Sequence, residues 1–143
     1  MNDREAEAID KLAEELDVAG QLIDDATSGV IADRWADLVA ERLIERIDQA
    51  GRRLPEALAD KYFGTAGASA LRGMRNRLAH EYDKTDYEIL WDAVRHDLPG
   101  VRSRMESDVS EARKMLSAAV LDLAAADEAA WQAASTSAVE EEA

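Results

Sequence analysis

The first part of the chain alternates apolar and polar positions with the period of an α-helix. Apolar residues recur at spacings of three and four, with acids on the opposite face: Ile9, Leu12, Leu16, Ala19 and Ile23. This spacing predicts an amphipathic helix whose periodic stretch covers about residues 2–22. The helix should stop between residues 24 and 29. A second helix is predicted over about 31–50, with an apolar stripe of Trp35, Leu38, Val39, Leu43 and Ile47.

Proline and glycine mark the next boundaries. Pro55 suits the first position of a short helix that continues through Phe63 and ends at Gly64. A loop at about residues 65–69 then leads into a central helix that is predicted to extend from about residue 68 to 80 or 82.

The second half of the chain is predicted to hold two more helices. Thr85, with Glu88 three residues later, forms a capping box that starts the first of them. Its apolar face comprises Tyr87, Leu90, Trp91, Val94 and Leu98. Pro99-Gly100 should interrupt it, and the last helix should span about 101–134. That helix has apolar residues at alternating spacings of four and three, a seam for another helix within or between chains: Met105, Val109, Ala112, Leu116, Ala119 and Leu123. The small, polar and acidic residues 135–143 predict a disordered tail.

The composition favours helices over sheets. Alanine, leucine, glutamate, aspartate and arginine dominate, prolines number two, and aromatic residues are few. With 143 residues, we expect one domain over 1–134, an all-α antiparallel helical bundle with a long C-terminal helix. The absence of cysteine excludes disulfides and thiolate metal sites, and no N-terminal apolar run has the length of a signal peptide or membrane span. We therefore expect a cytoplasmic protein without membrane contact.

The net charge of −14 argues against a protein that coats nucleic acid with its whole surface. The charge is unevenly distributed: residues 1–32 hold nine acids and two bases, residues 33–105 thirteen of each, and residues 106–143 nine acids and two bases. Thirteen arginines outnumber four lysines, which suits fork-like phosphate recognition but equally fits the acidic proteome of a high-salt cytoplasm. An electropositive site would have to be made locally, in the neutral middle.

The segment from Leu71 to Tyr82 concentrates polar chemistry on the central helix. At about 100° per residue, Leu71, Met74 and Leu78 form an apolar stripe. The remaining face is polar, with Arg72 and Arg77 flanking Asn76 and His80, and with Arg75 and Tyr82 stacked at the stripe's edge. Guanidinium groups can hold a phosphate, and an imidazole can move the proton when the 2′-hydroxyl of RNA attacks the neighbouring phosphate. Arg72 and Arg77 are candidate RNA contacts, and this route needs no metal or cofactor.

A structural reading of the same residues is also open. A lone histidine on a solvated helix face is more often a surface residue, and arginines opposite an apolar stripe are usually only solvated. His96 is expected to be exposed, and the acidic pairs Glu14-Glu15 and Asp24-Asp25 are expected to be solvated surface. Arg52-Arg53 is a candidate for RNA backbone contact, and the tryptophans and methionines are expected in the core.

The residues around His80 match a known pattern. Residues 75–82, Arg-Asn-Arg-Leu-Ala-His-Glu-Tyr, resemble the Arg-x4-His-x-Tyr motif of HEPN-domain proteins, most closely the HepT-like toxins encoded beside a minimal nucleotidyltransferase antitoxin. The similarity covers about residues 35–105 and includes Trp91 and an Asp-Leu-Pro ending at Pro99. Where the family usually has Gly-Glu-Ala, this chain has Asp48-Gln49-Ala50. The long last helix and the acidic ends also depart from the family pattern.

The resemblance implies a helical bundle that dimerises, brings two Arg-x4-His motifs into one cleft and acts as a metal-independent endoribonuclease. It implies that His80 is the acid/base, that Arg75 contacts the phosphate and the transition state, and that Asn76 orients His80 or the substrate. Tyr82 would be the tyrosine that the nucleotidyltransferase modifies with adenylate to neutralise the toxin. Two alternatives remain: a catalytically silent HEPN module that binds a nucleotidyltransferase or nucleotide, and a helical interaction protein that acts through its last helix.

Overall fold

The computed structural model describes residues 1–80 and 86–142, with the side chains of residues 68, 74, 77–80, 141 and 142 excepted. Within these ranges the chain is helical, with seven α-helices and one π-helical turn: α1 (Asp3–Ser28), α2 (Asp33–Gly51), α3 (Glu56–Phe63), α4 (Gly67–His80), α5 (Tyr87–Asp92), the π turn (Ala93–Asp97), α6 (Leu98–Arg104) and α7 (Glu106–Glu142). No strand occurs in the described ranges. The predicted all-α fold is therefore confirmed.

Local capping explains where the first helices begin and end. The Asn2 side chain accepts a hydrogen bond from the backbone N–H of Glu5 at 2.8 Å, and the Glu5 carboxylate accepts one from the N–H of Asn2 at 3.1 Å, a reciprocal capping box. Gly29, with φ of 77°, ends α1 in the left-handed conformation that glycine adopts without strain. The predicted short helix is confirmed between Pro55 and Gly64.

Two boundary predictions in the second half are wrong. Asp86, rather than Thr85, caps α5, because its side chain accepts hydrogen bonds from the N–H groups of Glu88 and Ile89; Thr85 itself lies outside the described residues. Pro99 does not interrupt the chain's helical course. It is the second residue of α6, and the wider π turn directly before α6 joins it to α5.

The long helices pack in antiparallel pairs. Arg113 donates to Asp10 at 2.9 Å and Arg102 to Asp17 at 2.9 Å, so α7 and α6 run against α1. The indole N–H of Trp91 on α5 donates to Asp37 on α2 at 2.7 Å. The largest fully buried side chains share this interior: Ile9, Leu12, Ile44, Ile47, Tyr62, Leu90, Val94, Met105 and Val109. The predicted antiparallel bundle is thus the observed packing.

A buried carboxylate ties α1 to α2. Glu15 is 5% exposed, and Arg46 grips both of its oxygens through Nε at 3.0 Å and Nη2 at 2.6 Å. Lys11 lies 3.4 Å from the same group. The hydrogen bond from Arg46 holds the pKa of the Glu15 carboxyl below its usual value, against the opposing effect of burial. Glu15, predicted to be solvated surface, is therefore a structural group.

Not every apolar stripe is covered. Trp35 is 59% exposed and Trp131 is 70% exposed, so the prediction that the tryptophans belong to the core is wrong for both. α7 packs on α1 through about Leu116, and its remaining residues extend past the bundle. The helix continues through residues 135–142, where the composition predicts disorder. None of the described helices is long and apolar enough to cross a membrane.

Candidate active site on helix α4

Helix α4 carries the predicted site and lies against α2 and α3. Leu71 is half-buried and packs on the core, as the predicted apolar stripe requires. The other two members of that stripe, Met74 and Leu78, have side chains outside the described set. Because Leu71 faces inwards, Arg72 and Asn76 lie exposed on the outer side of the helix.

Arg75 is held by a buried carboxylate on α2. The Nε of Arg75 lies 3.1 Å from Oδ2 of Asp48, and the Nε of Arg52 lies 3.1 Å from the same oxygen. Asp48 is 4% exposed, whereas the Arg75 side chain is 29% exposed and that of Arg52 is 43% exposed. One desolvated carboxylate therefore gathers two guanidinium groups and leaves both partly open to solvent.

The contact between Asp48 and Arg75 is ionic rather than an aligned hydrogen bond. Neither Oδ2 of Asp48 nor Nε of Arg75 has a well-oriented hydrogen-bond partner among the described residues, although the two atoms are 3.1 Å apart. Nη2 of Arg75 donates to Oδ1 of Asn76 at 3.1 Å. The charge of Arg75 is thus paired with that of Asp48, and its guanidinium group also contacts the neighbouring amide of Asn76.

A cavity of about 410 Å³ opens beside this ion pair. Its lining includes Asp48, Arg52, Phe63, Leu71 and Arg72, which come from α2, α3 and α4. Two arginines, Arg52 and Arg72, line the cavity together with three acids, Asp48, Glu56 and Asp60, so its cationic groups are local rather than in excess. An anionic ligand in this cavity would meet the guanidinium groups of Arg52, just after α2, and Arg72 on α4, with the carboxylates of Glu56 and Asp60 nearby.

The structure brings some of the predicted site residues together. Arg75 contacts Asn76, and Arg72 lies at the neighbouring cavity. His80 is the last described residue of α4, one helical turn beyond Asn76, but its side chain and that of Arg77 are outside the described set. Tyr82 lies outside the described residues, and so does its predicted stacking on Arg75.

Comparison with known proteins identifies the family. Residues 6–107 match the family model described as ribonuclease HepT-like. The chain belongs to this family. The match includes α1 to α6 and therefore the whole of the Asp48–Arg75 arrangement. The predicted resemblance is confirmed.

Individual relatives agree with the family match. Two proteins of Methanocaldococcus jannaschii, each named as a candidate RNase, are each 27% identical over 70 residues, which is 49% of this chain and 60% and 57% of theirs. A protein of Caldanaerobacter subterraneus subsp. tengcongensis with the same kind of name is 28% identical over 65 residues, 46% of this chain and 57% of its own. The chain thus spans somewhat more than half the length of these curated relatives. No solved structure matches significantly.

Asp48 is the residue that the motif search missed. It stands where the family usually has Gly-Glu-Ala, but its acid is one position earlier, so the sequence marked it only as a departure. A sign of its role was available, because Asp48 follows Ile44 and Ile47 on the buried stripe of α2. An acid on a core stripe is rarely buried without a cationic partner.

The other histidine is not part of this arrangement. The side chain of His96 is 72% exposed, and its Nε2 lies 3.7 Å from Asp92 one helical turn earlier. This confirms the prediction that His96 is a surface residue. Among the side chains that the structure describes, no three acidic or histidine groups converge as they would around a metal ion.

Proposed function

We propose that this member of the ribonuclease HepT-like family is the toxin of a toxin–antitoxin pair, a metal-independent endoribonuclease that works as a homodimer. The observation that carries the proposal is the placement of Arg75. It begins an Arg-x4-His-x-Tyr sequence whose arginine and histidine belong to α4, is paired with the buried Asp48, and lies beside a cavity that Arg52 and Arg72 line. This placement supports a phosphate-binding role for Arg75.

The chemistry follows from the residue types. His80 removes the proton from a ribose 2′-hydroxyl, and the 2′-oxygen attacks the adjacent phosphorus. The bond from phosphorus to the 5′-oxygen breaks, and that oxygen takes a proton from an imidazolium, leaving a 2′,3′-cyclic phosphate and a 5′-hydroxyl end. Arg75 stabilises the charge on the phosphate oxygens, and Asn76 orients His80 or the substrate. Arg72 and Arg77 contact the neighbouring RNA backbone.

A homodimer supplies what one chain lacks. Cleavage uses one imidazole as base and one as acid, and each chain has a single histidine in the motif. Two copies that share a cleft provide both, and they also double the number of arginines in a protein whose net charge is −14. The partner that neutralises the toxin is a minimal nucleotidyltransferase, which transfers adenylate to Tyr82, two residues beyond His80. The added phosphate and nucleoside then occupy the cleft.

The rate of RNA cleavage by variants of the motif residues, compared with a control variant of the other histidine, tests the proposed activity. We expect the purified wild-type chain to cleave single-stranded RNA with EDTA present and to leave 2′,3′-cyclic phosphate ends, and His80→Ala and Arg75→Ala to lower the rate at least about 100-fold. His96→Ala is the matched control, because it removes the other histidine, which is exposed and distant in sequence, and it should retain wild-type activity.

The same variants distinguish the proposal from a silent module. If His80→Ala cleaves RNA as fast as the wild type, the nuclease assignment to this site is wrong. If the wild-type chain shows no cleavage and does not arrest growth on expression, yet still binds the nucleotidyltransferase, the chain is a catalytically silent partner. Circular dichroism of each variant confirms that loss of activity is not loss of fold.

A further inference from the structure

The part of α7 beyond Leu116 is a helix without a partner among the described residues. Its large apolar side chains are about two-thirds exposed: Val120 at 64%, Leu121 at 70%, Leu123 at 67%, Trp131 at 70% and Val139 at 68%. At about 100° per residue these side chains are distributed around the helix, and of the five only Leu123 continues the stripe that packs on α1. We call residues 117–142 the α7 extension. It lies beyond residues 6–107, which match the family model.

The apolar face of the extension continues an interface that is already formed. Met105, Val109 and Ala112 are buried against α1, and Leu116 is partly buried after them. The same four-and-three spacing continues through Ala119, Leu123, Ala126 and Ala130, which therefore lie on the same side of the helix. α1 covers the first half of this stripe, and the second half presents the same kind of surface for another helix.

The charge of the extension indicates which helix would fit. Residues 115–142 contain six acids and no lysine or arginine. Asp122 and Asp127 flank the stripe on its two sides, at the positions where paired helices exchange charges. A helix packed on this stripe would meet only carboxylates along both edges. Basic side chains beside its own apolar face would neutralise them.

A second copy of the extension is a poor occupant by the same reasoning. Two extensions side by side would bring Asp122 and Asp127 of both copies to the edges of the pair, four acids with no lysine or arginine in either segment, and like charges across a helix pair are destabilising. We therefore propose that the α7 extension binds an amphipathic helix of another protein, one whose apolar face is flanked by lysine or arginine. This proposal does not depend on the ribonuclease assignment.

A synthetic peptide can represent such a partner. The probe is a labelled helix of about three heptads with leucine at the a and d positions and lysine at e and g, and a second peptide carries glutamate in place of lysine. Fluorescence anisotropy with the full-length chain should show binding of the lysine peptide and none of the glutamate peptide. Affinity for the lysine peptide should fall as salt is raised.

Two leucines on opposite faces provide a matched pair of variants. Leu123 lies on the stripe and Leu121 lies about 160° away around the helix, and they are 67% and 70% exposed. Leu123→Asp should weaken binding of the lysine peptide at least tenfold, whereas Leu121→Asp should change it less than twofold. Both variants add the same negative charge, so attraction to the overall charge of the chain cannot produce this difference. Leu123→Gln, which adds no charge, should weaken binding as well.

Three outcomes would overturn the proposal. Equal effects of the two aspartate variants would show that only overall charge attracts the peptide. Absence of binding by the wild-type chain, with the extension helical by circular dichroism, would show that the face does not accept a basic helix. Self-association by sedimentation that Leu123→Asp abolishes, and that the peptide does not compete with, would show that a second copy covers the stripe. RNA cleavage, measured in parallel, should be unchanged in all three variants.

Discussion

Asp48 determines where the cationic charge of the site lies. Its carboxylate is almost fully removed from water, and its only described counterions are the guanidinium groups of Arg52 and Arg75. A buried carboxylate without its cations is strongly unfavourable, so these three groups depend on one another. In the proposed mechanism Asp48 acts through Arg75, which it positions.

Replacing Asp48 by asparagine separates charge from shape. Asp48→Asn should lower kcat about tenfold or more, because Arg75 loses the charge that holds it, and should destabilise the fold by about 1–3 kcal/mol. RNA cleavage and urea unfolding measure the two effects. Glu45→Gln is the control, because it removes an acid from an exposed pair with Arg42 on the same helix, and it should change little. An unchanged kcat in Asp48→Asn would refute a positioning role. So would an Asp48→Glu variant, which keeps the carboxylate, whose kcat is no higher than that of Asp48→Ala.

At the scale of elements, α3 is the helix beside the site that depends most on tertiary contacts for its stability. It has eight residues, too few for an isolated helix to be stable, and it lines the cavity beside Asp48. Its anchor is Tyr62, which is fully buried and donates a hydrogen bond of 2.5 Å to Asp108 on α7. Lys61 lies 2.8 Å from the same carboxylate, and Arg104 donates to the carbonyl of Tyr62 at 2.7 Å.

The Tyr62 hydroxyl should give the fold a specific dependence on alkaline pH. Burial, and then its bond to Asp108, raise the pKa of Tyr62 above its ordinary value. A raised pKa contributes stability that is complete below the unfolded pKa of about 10 and is lost as pH rises above it. Tyr62→Phe should cost about 1–2 kcal/mol at pH 7. The difference in free energy of unfolding between the wild type and Tyr62→Phe should decrease by roughly 1.4 kcal/mol between pH 7 and pH 11. Urea unfolding at both pH values measures it, and a gap that is constant with pH would contradict the assignment.

The elements also show how far the sequence predicts this molecule. The spacing of apolar residues and the Pro55 and Gly64 boundaries predict α1, α2 and α3 within a few residues, because these signals are local. Periodicity identifies an apolar stripe but not what will cover it, which is why Trp35 was predicted buried and is exposed. The apolar stripe of α2 marks Asp48 as a buried acid that needs a cation, but the pairing with Arg75 joins two helices, so no local pattern identifies that partner.

At the scale of the whole molecule, charge and chemistry both favour more than one copy. Under the proposed function, the acidic ends would repel RNA, so binding would rely on guanidinium groups that are gathered locally, and one chain brings one motif histidine. A two-fold dimer places the same surface of both copies at its axis, so two identical motifs can share one cleft. In that arrangement an adenylate group on either copy would obstruct the cleft for both.

Partial adenylation can therefore reveal the shared cleft. The chain is incubated with the adjacent nucleotidyltransferase and ATP for increasing times, intact mass gives the modified fraction, and RNA cleavage is measured on the same samples. If one adenylate per dimer suffices, activity should fall to about a quarter when half of the Tyr82 side chains are modified, because only dimers with two free copies remain active. Independent sites would instead retain about half of the activity.

Two tyrosine variants provide the control. Tyr82→Phe should take up no adenylate, whereas Tyr87→Phe, which removes the nearest other tyrosine in the chain, should be modified as the wild type is. Modification of Tyr82→Phe, or activity that falls linearly, would remove the basis for a shared cleft controlled at Tyr82.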